Sequence, residues 1–171
     1  MREFSKISPA VWGSERFNNL ESDEARYLYL FLLTCEHQTS AGVFRLKDAY
    51  ATADLRWPME RYLAARKLLV EADLVKFDLT SGYVLITRWF KHNPPMNESH
   101  LKGVARVIHK MPCEQLKQEA LGALQEAHEA LRVAKALAEG KMPGAPVSDL
   151  SHALKTQLGR AGLSVAQGGR S

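Results

Sequence analysis

Apolar positions along this chain recur with two different periods, and the places where the period changes mark out its elements. From Ala25 to Cys35 apolar side chains are nearly continuous (Tyr27, Leu28, Tyr29, Leu30, Phe31, Leu32, Leu33), which predicts a central helix covered on more than one side. Ser22 caps it, with Asp23 and Glu24 in the first turn where acids complement the helix dipole. After the polar loop Glu36 to Gly42, Gly42 to Leu46 reads as a strand and Lys47 to about Leu55 as a helix. Pro58 bars Trp57 from the α region and suits the first position of a new helix, so Arg56-Trp57-Pro58 is a sharp turn between two helices. In the second helix Pro58, Tyr62, Ala65, Leu69 and Ala72 fall on one apolar face. Glu60, Leu63, Ala64, Lys67 and Glu71 fall on the other, flanked by Arg61 and Arg66. Asp73 follows where a left-handed residue is common. Leu74 to Asp78 and Tyr83 to Thr87 are β-rich runs around a short loop ending in Gly82, the pattern of a hairpin.

The flanking segments are plainer. Arg2 to Ile7 reads as a strand and Ser8-Pro9 as the start of a short turn through Trp12, with Trp12 and Phe17 expected to pack on the domain. Pro94-Pro95 makes a stiff connector, and Asn97 caps a helix to about Lys110 with Leu101, Val104, Ala105 and Ile108 on one face. Glu114 to Glu139 predicts a long helix with a narrow stripe (Ala120, Leu124, Ala127, Leu131, Ala134, Ala138) for close packing, either on this chain or on a second copy as a homodimer. Lys141 to Pro146 reads as a linker before a weak helix (Ser148 to about Arg160) and a glycine-rich tail. The expected fold is α+β, mainly α. It comprises a winged helix-turn-helix domain over residues 1–96, a two-helix extension over 97–140, and a linker, weak helix and tail over 141–171.

Composition narrows the function without deciding it. The 171 residues carry a net charge of +4, no apolar run long enough for a membrane span, and no signal-peptide core at the start, which predicts a cytoplasmic protein. From Leu79 to Pro112 there are five basic residues (Arg88, Lys91, Lys102, Arg106, Lys110) against the single acid Glu98, so positive charge is expected beside the hairpin. Lys102, Arg106, His109 and Lys110 share a helix face, either for phosphates or simply solvated. Cys35 and Cys113 lack metal-ligand or CxxC spacing and read as reduced structural thiols. His37 has no acid, base or nucleophile placed to work with it. There is no phosphate-binding glycine loop, HExxH, nucleophile elbow or carboxylate cluster, so no catalytic residue, metal or cofactor is expected.

From about Phe4 to Pro112 the chain resembles the winged-helix replication proteins of temperate bacteriophages, the replisome organisers and DnaD-like initiators. The resemblance is carried by Lys6-Ile7-Ser8-Pro9 with Trp12, the helix Asp23 to Thr34, Ala41-Gly42-Val43-Phe44 and Leu55-Arg56-Trp57. It continues through Glu71 to Asp78, Val84-Leu85-Ile86, Arg88 to Pro95 and Leu101-Lys102-Gly103. It implies origin binding in a bacterial host, with recruitment of a host helicase or its loader through the C-terminal part. The residues expected at double-stranded DNA are Glu60, Arg61, Arg66 and Lys67 on the reading helix, Lys76 with Thr80 and Ser81 on the wing, and Arg88, Lys91, Lys102, Arg106 and Lys110 beyond it. Two other uses of the same fold stay open: a transcriptional regulator of a phage or plasmid operon, and a protein-interaction module that has given up DNA.

Overall fold

The structure, a computed structural model, describes residue 5 and residues 7–138. It divides into two units, residues 1–128 and residues 129–171. After a 3₁₀ turn (Pro9–Gly13) come α1 (Glu15–Asn18), α2 (Asp23–Thr34), β1 (Val43–Arg45), α3 (Asp48–Leu55) and α4 (Met59–Glu71). They are followed by β2 (Val75–Asp78), β3 (Tyr83–Ile86), α5 (Trp89–His92), α6 (Glu98–His109) and α7 (Glu114–Ala138). The fold is α+β and mainly α. Its one sheet among the described residues is antiparallel in the order β1-β3-β2, with Phe44 and Phe77 on either side of Val84.

The turns form where local chemistry allows them. Ser22 Oγ accepts from the Ala25 amide at 3.3 Å and Asn97 Oδ1 from the His100 amide at 2.8 Å, as N-caps do. Between α3 and α4 the chain reverses through Arg56, which is left-handed (φ 54°), and the Trp57 amide bonds back to the Thr52 carbonyl at 3.0 Å. Pro58 is the extended cap of α4 rather than its first helical residue. At the far end of α4, Asp73 is left-handed (φ 49°), with Leu74 bonded to the Leu69 carbonyl and Asp73 to that of Val70, the Schellman arrangement.

Two layers of helix enclose the sheet. On one face Phe44, Val75, Phe77, Val84 and Ile86 meet the core of α2 (Ala25, Leu28, Leu32) and α4 (Tyr62, Ala65, Leu69). Full burial of each Leu or Tyr here contributes about 1.5–3 kcal/mol. On the other face Leu85 and Trp89 share a dent with Ala120 and Ala123 of α7, and Lys76 Nζ bonds Glu119 Oε2 at 2.8 Å. The helices α6 and α7 form an antiparallel pair through Val104, Ile108, Met111, Leu116, Ala120 and Leu124, all buried, and His128 Nε2 lies 3.0 Å from Glu98 Oε1.

Several expectations are corrected. Only one side of α2 is fully buried, and Tyr27 is exposed, covered only in part by the Trp57 ring, whose centroid lies 5.7 Å from its own. Phe17 is buried as expected, but Trp12 is exposed and only edges against it, their ring centroids 5.6 Å apart. The short helices α1 and α5 were not expected; four residues leave too little periodicity to detect. The stripe of α7 is fully buried only at Ala120 and Leu124. The strand predicted at Arg2–Ile7 falls mostly outside the described residues, and the linker, weak helix and tail after Gly140 fall wholly outside them.

Gly42 locks the two layers together. Its φ is +69° and an added Cβ would stand 2.3 Å from Trp89 Cγ, while the indole Nε1 donates to the Ser40 carbonyl at 2.9 Å. Gly42→Ala combines left-handed strain with overpacking and is expected to destabilise the fold by about 2–4 kcal/mol. A urea midpoint that does not move on this substitution would contradict the close packing of Trp89 against this turn.

Candidate nucleic-acid interface

The site is built on α4. With Tyr62, Ala65 and Leu69 turned into the core, the 3.6-residue repeat points Glu60, Leu63, Ala64, Lys67 and Glu71 outward, and all five are exposed. Met59 (43% exposed), Leu63 (38%) and Val70 (45%) form an apolar edge along one side of this face. Lys67 Nζ is held only loosely, 3.7 Å from Glu71 Oε1. Helix α4 is 13 residues, about 20 Å long, a length suited to a DNA major groove.

The flanking arginines are engaged within the fold. Arg66 Nη1 donates to both Asp48 carboxylate oxygens at 2.8 Å, its guanidinium lies 5.4 Å from the Tyr62 ring centroid and 5.3 Å from that of Phe77, and its side chain is only 15% exposed. Expected at DNA, Arg66 is here turned to the fold: a residue about 70° from the core direction of α4 reaches the start of α3 before it reaches solvent. The Tyr62 phenol, bonded to the same Asp48, is pushed well above the ordinary phenol value by burial first and then by that carboxylate, so it stays protonated. Arg61 is half-exposed, 3.2 Å from Glu24 Oε1 and with its guanidinium 4.4 Å from the Trp57 ring centroid, so it must leave a partner before it meets a phosphate.

The hairpin loop is hydrogen-bonded to Asp78 and carries no charge between Leu79 and Gly82. Asp78 accepts from the amides of Thr80 (3.3 Å) and Ser81 (3.2 Å) and from the Ser81 hydroxyl, and these bonds, the hydroxyl's first, hold its carboxyl below the usual range. The Ser81 hydroxyl is thereby occupied, whereas Thr80 stands exposed at the tip. The Lys76 ammonium turns to Glu119 instead of the loop. Two cations that sequence reasoning missed do stand beside the loop. Arg45 Nε bonds the Ser81 carbonyl at 3.2 Å, and Lys47 follows Leu46, whose amide bonds the Gly82 carbonyl at 2.8 Å. Arg56, exposed at the turn before α4, was missed too. The sequence signal for all three was an isolated charge at an element end, which carries no period.

The remaining expected cations lie elsewhere. Arg88 and Lys91 are exposed, but they sit at the open end of the hairpin, since Thr87 bonds back to the Leu74 carbonyl. There they join Arg16, whose Nη1 donates to the Asp73 carbonyl and lies 3.3 Å from Asp73 Oδ2. The expected placing of this charge beside the loop is thus corrected: β3 separates the two. Lys102, Arg106 and Lys110 form an exposed ridge on α6 with no ion pair among the described residues. His37 stacks on Tyr50, with centroids 6.0 Å apart, and lies 3.9 Å from Glu36. Both cysteines are free thiols, and burial pushes that of Cys35 up. No group of three His, Cys, Asp or Glu among the described residues could hold a metal, and no described helix is long and apolar enough to cross a membrane. Compared with protein-family models, with curated proteins and with solved structures, the chain matches none.

Two expectations follow. Arg66→Ala removes a partly buried ion pair together with its packing on Tyr62 and Phe77 and should lower stability by about 1–3 kcal/mol, whereas Lys67→Ala should stay within about 0.5 kcal/mol of the parent in urea unfolding. Similar losses for both would mean that Arg66 is not a structural clamp. His92 is held below the ordinary imidazole value by partial burial and then by Lys91 and Arg16. The unfolded chain therefore takes its proton first as pH falls, so stability present above about 6.5 declines below it. A proton NMR titration placing His92 at or above the free value would refute this.

Proposed function

We propose that this chain is a winged helix-turn-helix DNA-binding protein without enzymatic activity, acting in a bacterial cytoplasm as a phage replication initiator or replisome organiser. The observation that carries the reading is the outward face of α4: its side chains are exposed while Arg61 and Arg66 beside it are engaged within the fold, and Arg45, Lys47 and Arg56 have no ion pair among the described residues. Laid in the major groove, Lys67 and Glu60 would meet base edges, Glu60 accepting from a cytosine amino group. Met59, Leu63 and Ala64 suit thymine methyls. Arg45, Lys47 and Arg56 would take phosphates around the groove, with Thr80 at the backbone beside the loop. Arg88, Lys91 and the ridge of Lys102, Arg106 and Lys110 lie farther out, where bent or longer DNA would reach them. Recruitment of a helicase or its loader would fall to the C-terminal part.

The apolar edge of α4 and the internal use of Arg61 and Arg66 favour a second reading, a winged-helix module that binds protein. Mobility shifts on the gene's own and flanking DNA separate the two. Specific binding should weaken with salt, and the Lys47→Ala/Arg56→Ala/Lys67→Ala variant should lose roughly 0.9 of log-log slope for each phosphate contact removed. A folded parent chain that binds no DNA at low salt would overturn the DNA reading. Footprints over repeats at an origin would mark an initiator, and footprints over a promoter a regulator.

A further inference from the structure

The outward face of α4 is complementary to itself. Its central line carries Glu60 and Lys67, seven residues and so two helical turns apart, with Leu63 and Ala64 between them. Glu71 stands at its C-terminal end, and Arg56, with no ion pair among the described residues, stands in the turn before its start. If two copies of α4 lie antiparallel across a two-fold axis passing between Leu63 and Ala64, each Glu60 faces Lys67 of the other copy. At the helix ends each Glu71 comes level with the other copy's Arg56. A parallel, in-register pairing would instead set Glu60 against Glu60 and Lys67 against Lys67, so the charges choose one orientation.

We propose that α4 associates with α4 of a second copy of this chain, antiparallel, with Leu63 and Ala64 at the centre and Met59 and Val70 covered along the edge. These three larger apolar side chains keep 38–45% of their surface in water in the single chain. Their burial supplies the attraction, while the ion pairs, weak at a surface, fix direction and register. One helix on one helix falls short of the roughly 1,200 Å² of a stable interface, so the association is weak and reversible. A two-fold arrangement closes at two chains and does not propagate. It covers the face assigned above to DNA, so self-association and groove binding exclude one another.

Sedimentation equilibrium on the full chain without DNA tests the pairing independently of DNA recognition. Up to about 1 mM chain, the weak end of specific association, the apparent mass should rise toward that of two chains. Glu60→Lys alone or Lys67→Glu alone places like charges at two symmetry-related points and should weaken association about tenfold or more. The double exchange Glu60→Lys/Lys67→Glu should restore it to within about threefold of the parent. Both sites are exposed on a helix surface, so folding should persist, checked by circular dichroism. A chain that stays monomeric over this range, single exchanges without effect, or a double exchange that fails to restore association would each overturn the proposal.

Discussion

One ion pair joins α4 to its neighbours along its flank. Arg66 grips both oxygens of Asp48 at the first turn of α3 while its guanidinium rests against Tyr62 and Phe77, so a single side chain ties together two helices and a strand. The guanidinium is mostly covered while the carboxylate keeps part of its surface in water, so the two hold each other by geometry as much as by charge. The Schellman end of α4 and the reversal at Arg56 fix its two ends. What remains free is the strip from Met59 to Glu71 facing away from all three attachments.

That clamp explains why the fold was more legible than the site. Helix boundaries followed from capping and periodicity: Ser22, Asn97 and the Trp57-Pro58 step place helix ends within a residue or two of the predicted ones. The hairpin followed from β-rich runs around Gly82. Side-chain destinations did not follow, because they depend on contacts distant in sequence. Arg66 meets a carboxylate in another helix, Lys76 one in α7, and Arg61 one in α2. Periodicity places a residue on a face but does not say whether an acid from elsewhere waits there. The cations left at the hairpin loop, Arg45 and Lys47, belong to a strand end and a helix cap, where no repeat draws attention to them.

The distribution of charge accordingly has a structural and a free component. Three of the cations expected at DNA stabilise the chain's own layers, and the other expected or newly noted ones among the described residues lie around α4 and the loop, at the open end of the hairpin, and along α6. Long-range attraction of a polyanion needs only the sum of these, whereas discrimination between base pairs needs the few groups on α4. The apolar share of that face suits either thymine methyls or another protein surface, and its near-neutral charge means that neither is favoured by electrostatics alone.

The contact of α7 with the sheet bears on how such a chain can be shared out between genes. Leu85 and Trp89 are covered by Ala120 and Ala123, and Lys76 is neutralised by Glu119, so residues 114–128 complete the same folded layer as the hairpin. A recombination joint placed at the double proline, the most obvious seam in the sequence, would bare an apolar sheet face and strand a lysine on it. Joints near residue 128 or beyond leave that layer whole, and it is there that different C-terminal parts could be exchanged while the α4 face is inherited unchanged.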